Sequence, residues 1–302
     1  MLDRFEHDGI LMDATLARLY LVYRLGDPPL QAGEYRFETP LSTPEVLGRL
    51  IDGRVVRHPV TIVEGLTIFE TAAALALAGF GDQDVFTDLV QSPRLIEDID
   101  AEAPNLEGYL FPDTYAFAKG TSEDEIVAAI VANFKRRYET EVAPLLAADE
   151  ERTTRDLVTL ASIVEKEAKL DDERAVIAGV YANRLKRGIA LYADPTIIYG
   201  LKLLGQWDGN LRRDDLKLDS PYNTYIYPGL TPGPIASPGL ASLKAAADPA
   251  DVPYLYFVSR NDGSHVFAET LSEHNRNVNK WQKRYWRKRW ADEQAGKSDD
   301  QR

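Results

Sequence analysis

Cysteine is absent from all 302 residues, which excludes disulfides, thiolate nucleophiles and cysteine-bound zinc while fitting a cytosolic or an envelope protein equally well. Positive charge is scarce: 35 Lys and Arg stand against 48 Asp and Glu, for a net charge of −13. That balance disfavours a partner held mainly through its phosphates, so nucleic acid is not an expected ligand. The four histidines, His7, His58, His265 and His274, show no HExxH or other paired spacing, and no metal is expected. No apolar run approaches the roughly 18 residues a membrane helix requires, and the opening MLDRFEHDGI lacks the basic and apolar regions of a signal peptide. GxSxG, Walker and strand-borne GxGxxG sequences are missing too. Hydrolase elbows, nucleotide hydrolysis and dinucleotide binding drop out with them, and no cofactor is implied.

What is present is a globular composition, 44% hydrophobic and 27% charged, in a chain long enough for two domains. GEYRFETPLSTPEVLGRLIDG and PVTIVEGLTIFETAAALALAG share a plan of strand, turn, helix and glycine stop, which suits a small α+β module built on a degenerate repeat. Ser42 or Thr43 caps the first predicted helix; Thr67, with Glu70 three residues on, forms a capping box for the second. LEGYLFPDTYAF reads as an ordered loop or strand, and a polar helix follows over about 122–138. DDERAVIAGVYANRLKRG carries the stripe Val176, Ile177, Val180, Tyr181 and Leu185 up to Gly188. Beyond Tyr192 the chain turns Pro- and Gly-rich, and PYLYFVSR-NDG-SHVFA then predicts a hairpin leading to a capped helix.

DLVTLASIVEKEAKL sets two carboxylates around Lys166. At about 100° per residue, Leu157, Leu160, Ile163, Val164 and Ala168 share a face that includes Glu167, while Glu165 falls near the polar edge. A carboxyl continuing an apolar stripe loses water, its pKa rises, and it can hold a proton near neutrality. Glu167 is therefore the acid/base candidate, with Glu165 the alternative; two solvated glutamates pairing with Lys166, Lys169 or Arg174 are the plain reading. Tyr222, Asn223, Tyr225 and Tyr227 offer hydroxyls, an amide and aromatic faces of the kind found in carbohydrate clefts. The tail KWQKRYWRKRW is basic and aromatic, suited to a solvated helix or an anionic lipid surface.

AGEYRF, VTIVEGLTI, LEGYLFPDTY, LASIVEKEA, VYANRLKRGIALYADPTIIYG, SPYNTYIYPGLTPGPIASPGLASLKAAADP, YLYFV and HVFAETLSEHN occur in that order over about 32–280. Together they resemble the endolytic murein transglycosylases, the MltG-like or YceG-like proteins of the bacterial cell envelope. The resemblance implies an α+β fold with a small LysM-like module within residues 1–119, a mixed α/β catalytic domain over 120–280 with a helix-borne catalytic Glu, and a basic, aromatic tail at 281–302. It implies cleavage of MurNAc-GlcNAc bonds in nascent glycan strands with 1,6-anhydroMurNAc ends, a role in terminating glycan elongation, and partners among peptidoglycan synthases and divisome or elongasome proteins. Glu167 is the implied catalytic residue, with Tyr222, Asn223, Tyr225, Asp194, Thr196, Glu107 and Tyr109 expected to bind substrate. Family members carry an N-terminal membrane anchor, which these residues do not display; an inner-membrane location with the catalytic domain outside the cytoplasm is an expectation from the family alone. A lysozyme-like hydrolase and a non-catalytic murein-binding or divisome scaffold stay open beside it.

Overall fold

Thr67, Ser122 and Thr153 each accept a hydrogen bond from the N–H three residues on, and the carboxylates of Glu70, Glu125 and Asp156 accept one from the cap's own N–H. These reciprocal caps satisfy donors that a helix start otherwise leaves open, and they fix where three central helices begin. A computed structural model describes residues 1–146, 152–285 and 287. In chain order it contains α1 (Leu2–His7), α2 (Ala14–Leu25), α3 (Thr43–Ile51), β1 (Arg57–Thr61), α4 (Ile68–Leu77), α5 (Gln83–Val90), β2 (Thr114–Ala118), α6 (Glu123–Arg137) and α7 (Thr154–Glu167). There follow α8 (Arg174–Lys186), α9 (Asp194–Leu203), α10 (Leu240–Ala247), β3 (Tyr256–Ser259), β4 (His265–Ala268) and α11 (Leu271–Val278). The fold is α+β, with two small antiparallel sheets: β1 pairs with β2 from Arg57↔Ala118 to Thr61↔Thr114, and β3 with β4 from Tyr256↔Ala268 to Ser259↔His265.

Two apolar clusters hold it together. The smaller joins Leu2, Leu11, Ala14, Ala17 and Leu21 to Val46, Leu47 and Leu50, with Phe5, Tyr35 and Phe37 packed against it. GEYRF, expected as a strand, forms none: Tyr35 and Phe37 turn their rings onto Phe5, with ring centroids 6.2 and 6.0 Å away, and among the described residues no strand pairs with it. The larger cluster runs from Val60 to Ala247. Phe117 and Ile126 both belong to it, so the boundary expected near residue 120 falls inside a continuous core, and the change of cluster comes earlier, between Leu50 and Val60.

The centre of the large cluster is α7. Leu157 through Val164 are all buried, because α8 and α10 pack on the helix from different sides. The polar Ser162 survives there by donating to the Thr159 carbonyl at 2.7 Å and accepting from the Ile235 N–H at 3.0 Å. The helix therefore has no wet face in its middle, contrary to the one-sided stripe expected from periodicity. Two further helices lie where irregular chain was expected. In α9, Pro195 sits at the second position, where its missing N–H costs nothing, and α10 follows Gly239. The predicted hairpin forms, with Asn261 (φ 67°) and Gly263 (φ 96°) turning it. Much of the basic tail, namely 286 and 288–302, lies outside the described residues.

Candidate active site

Glu167 is the last residue of α7, after which the chain becomes extended at Ala168 (φ −74°, ψ 124°). Tyr181 on α8 hydrogen-bonds to its carboxyl, the charges of Arg184 on α8 and Asp194 at the start of α9 reach it, and Tyr225, in the loop beyond, feels the Glu167 charge in turn. Burial pushes the Glu167 carboxyl up to about 7, and the charge of Asp194 pushes the same way; the hydroxyl of Tyr181, which donates toward it, and the Arg184 guanidinium pull back. The result is a carboxyl that can hold a proton near neutral pH, the condition for a group that must both give and take one. Tyr181 is itself buried, and burial together with the Glu167 charge holds its pKa well above the usual tyrosine range, so it remains a donor.

Arg184 anchors the surrounding wall. Its Nε donates to the Leu255 carbonyl and its Nη1 to the Leu191 carbonyl, both at 2.6 Å. The guanidinium lies over Tyr192 and Tyr256, 5.7 and 5.2 Å from the ring centroids. Tyr192 is half exposed and adopts the left-handed φ of 49°, a conformation of some cost for a bulky residue, which here turns its ring edge-on to Tyr225 at 5.1 Å. Tyr225 in turn donates to Asp194 Oδ1 at 2.6 Å. On the far side of Tyr256 the His274 ring stacks at 5.2 Å, and burial lowers its pKa.

The residues expected to line a cleft divide. Glu167, Asp194 and Tyr225 come together. Thr196 and Asn223 lie fully buried beneath them: Thr196 donates to the Ala193 carbonyl and pairs with Thr224, while Asn223 donates to the Leu216 and Leu218 carbonyls and accepts from the Tyr225 N–H. Their polar atoms are committed to shaping the loop that presents Tyr225. Glu107, Tyr109 and Tyr222 belong to a second group. Tyr109 is a core residue, packed edge-on to Phe134 and donating to Asp100 at 2.6 Å, where Arg155 also binds. Glu107 accepts from Tyr199 at 3.0 Å and from the Ile68 N–H at 3.4 Å, and Tyr222 packs on Tyr199 with centroids 4.8 Å apart.

Burial pushes Glu107 up to about 8, and its Oε1 has no hydrogen-bond partner. Because the folded value lies above the ordinary 4.5, folding retains a proton that the unfolded chain releases. Stability is then expected to fall as pH rises from about 4.5 and to level off above about 8. Glu107→Gln should remove that slope, leaving the variant more stable than wild type at pH 8.5 by an amount of the order of a few kcal/mol; urea denaturation at pH 5 and 8.5 measures it.

Glu165 requires a correction. The helical wheel places it on a polar edge, yet only 7% of its side chain is exposed, because α10 and Arg174 cover that edge. Its Oε2 accepts from the Gly239 N–H at 3.0 Å and from Ser242 at 2.8 Å, and its Oε1 lies 3.7 Å from Arg174. Lys166, between the two glutamates, donates to the Gly65 carbonyl at 2.9 Å. Glu165 thus ties three segments together. Glu165→Gln is expected to cost about 1–2 kcal/mol, since the amide oxygen still accepts from both donors but no longer balances Arg174. Thermal melting checks the loss, and the products formed should be those of wild type.

Sequence reasoning missed Tyr181 as a polar partner, counting it only within an apolar stripe, and missed Arg184 and Tyr192. The available signal was Arg184 itself, which lies three residues from Tyr181 and so continues the buried face with a charge. Two grooves, of about 720 and 740 Å³, flank Lys119–Thr121 away from this cluster, and the second is lined by the exposed His58–Glu34 pair.

The sequence profile of the YceG-like family matches residues 1–280. A relative from Bacillus subtilis strain 168, named endolytic murein transglycosylase, is 33% identical over 293 residues, covering 91% of this chain and 79% of that protein. Another of the same name, from Streptococcus pneumoniae D39, is 31% identical over 307 residues and matches 90% of this chain; the chain spans about half of that relative, 54% of its length. A 2.6 Å crystal structure of a yceG-like protein from Listeria monocytogenes superposes with a TM-score of 0.64 at 29% identity, covering 91% of this chain and 93% of that one. The chain belongs to the YceG-like family.

Proposed function

We propose that this chain is a lytic transglycosylase of peptidoglycan, cutting inside glycan strands between N-acetylmuramic acid and N-acetylglucosamine and leaving 1,6-anhydro ends. The observation that carries the reading is Glu167, a carboxyl that burial and the nearby charge of Asp194 bring to about 7 beside Tyr181 and Arg184. Protonated Glu167 gives its proton to the glycosidic oxygen as the C1–O bond breaks. The carboxylate left behind takes the proton of the muramoyl C6 hydroxyl as that oxygen closes onto C1. One carboxyl serves both halves, and no water is consumed. The names of the relatives from Bacillus and Streptococcus support the substrate class.

The same reading puts the chain at work in the cell envelope, where such cuts would end glycan elongation beside peptidoglycan synthases, with the N-terminal region acting as a LysM-like glycan contact. Among the described residues no helix is long and apolar enough to cross a membrane, so the envelope location rests on the substrate. Mass spectrometry of digested glycan strands tests the proposal. Anhydromuramoyl ends are expected; hydrolysed reducing ends would replace it with a lysozyme-like hydrolase, and binding without products would replace it with a murein-binding scaffold.

A further inference from the structure

Beside Glu167 stands a second carboxylate, Asp194, whose surroundings oppose those of Glu167. Asp194 is solvent-exposed and is the first residue of α9, a helix of ten residues whose leading N–H groups favour an anion. The Tyr225 hydroxyl donates to its Oδ1 at 2.6 Å. Tyr225 is held in turn by the ring of Tyr192 and by its own N–H bond to Asn223 Oδ1 at 3.0 Å. Asp194 is therefore a fixed acceptor, and its charge is felt at Glu167. Arg184, whose charge reaches Glu167, spends its Nε and Nη1 on backbone carbonyls and makes no ion pair with Asp194 among the described residues.

Two neighbouring carboxyl groups, one desolvated and one hydrogen-bonded and exposed, can take different parts in glycoside cleavage, the first as proton carrier and the second toward the developing charge. We propose that Asp194 is the anionic partner of Glu167, facing C1 of the muramoyl residue and offsetting the positive charge that develops there. This inference rests on the transglycosylase reading above. In the step itself the Glu167 proton passes to the glycosidic oxygen, and the C1–O electron pair leaves with the N-acetylglucosamine hydroxyl. The C6 oxygen then bonds to C1 and its proton returns to Glu167. Asp194 makes and breaks no bond. Before cleavage its charge also helps keep the proton on Glu167, which two like charges cannot both give up cheaply. A site with a single glutamate would have to stabilise the sugar cation with neutral groups; this one has a carboxylate already oriented for it.

The test compares wild type, Asp194→Asn and Tyr225→Phe on soluble glycan strands, measuring kcat and KM across pH 5–9 with circular dichroism to check the fold. Asn keeps the hydrogen bond from Tyr225 and is nearly isosteric at an exposed position, so the expected effect is electrostatic. Its kcat should fall about 100-fold, with little change in KM, and the alkaline limb of its profile should move to lower pH. Tyr225→Phe frees Asp194 to rotate and should lose about tenfold. A kcat within threefold of wild type, a loss confined to KM, or an alkaline limb that stays in place would each overturn the proposal. Failure of the underlying reading shows separately: full activity in Glu167→Gln or hydrolysed ends from wild type would remove it whatever Asp194→Asn does.

Discussion

Glu167→Gln is expected to fold and to lose about 10²–10⁴-fold in the rate of anhydro-product formation, the usual weight of a general acid and base. Glutamine occupies the same volume and can still accept from Tyr181, but it has no proton to give to the leaving oxygen. Nor can it take one from the C6 hydroxyl. The wild-type rate should fall as pH rises through about 7, because the reaction starts from the protonated carboxyl. The stability effect runs the other way. The folded value lies above the ordinary 4.5, so wild-type stability declines between about 4.5 and 7, and the glutamine variant, free of that titration, gains on wild type across the same window. A variant that loses activity while matching or exceeding wild type in Tm at pH 8 therefore separates chemistry from folding. Retained activity in Glu167→Gln would move the proton transfer elsewhere.

The helix wheel and the fold agree that Glu167 is desolvated, because local periodicity and the tertiary environment coincide at that position. The wheel misplaced Glu165 because it describes one helix alone. Seen from α7, Glu165 is at an edge; in the fold that edge is covered by α10 and by Arg174, whose positions come from residues far along the chain. The same limit hid most of the pocket. Tyr181 and Arg184 gain their roles only when α8 returns along α7, and Asp194 only when the Pro195 helix start directs α9 toward the same place. Caps, which are local, were legible: Ser42, Thr67 and the hairpin turn at Asn261 all stand as the sequence suggests. Strand GEYRF was not, since alternation marks a segment as able to pair but says nothing of whether a partner arrives. Of the expected substrate contacts, Glu107, Tyr109, Thr196 and Asn223 were drawn from polar types in aromatic or turn-rich stretches, and the fold uses those polar atoms internally.

Gly108→Ala is expected to be strongly destabilising, costing about 3–5 kcal/mol. Gly108 has a φ of +88°, where an alanine pays about 1–2 kcal/mol against the backbone alone. Its added Cβ would stand 2.5 and 2.6 Å from Pro234 Cβ and Cγ and 2.8 Å from Val158 Cγ1. Neither neighbour can retreat. Val158 is fully buried in the middle of α7, and Pro234 precedes Ile235, whose N–H is pinned to Ser162 on the same helix. Overpacking at such a site adds about 1–3 kcal/mol, and against a typical total of about 5–15 kcal/mol the sum is a large share. Gly239→Ala provides the contrast, although its Cβ would meet an even closer atom. That atom is the carboxyl end of the exposed Glu64 side chain, tethered only by a 4.0 Å ion pair to Arg174, and Gly239 has an ordinary negative φ of −74°. Its cost should stay within about 1 kcal/mol. Paired thermal melts decide the matter: a Tm for Gly108→Ala about 5–10 °C below that of Gly239→Ala is expected. Equal values would mean that the turn carrying Glu107 and Tyr109 yields to a side chain, and that its tight packing against α7 does not hold the glycine in place.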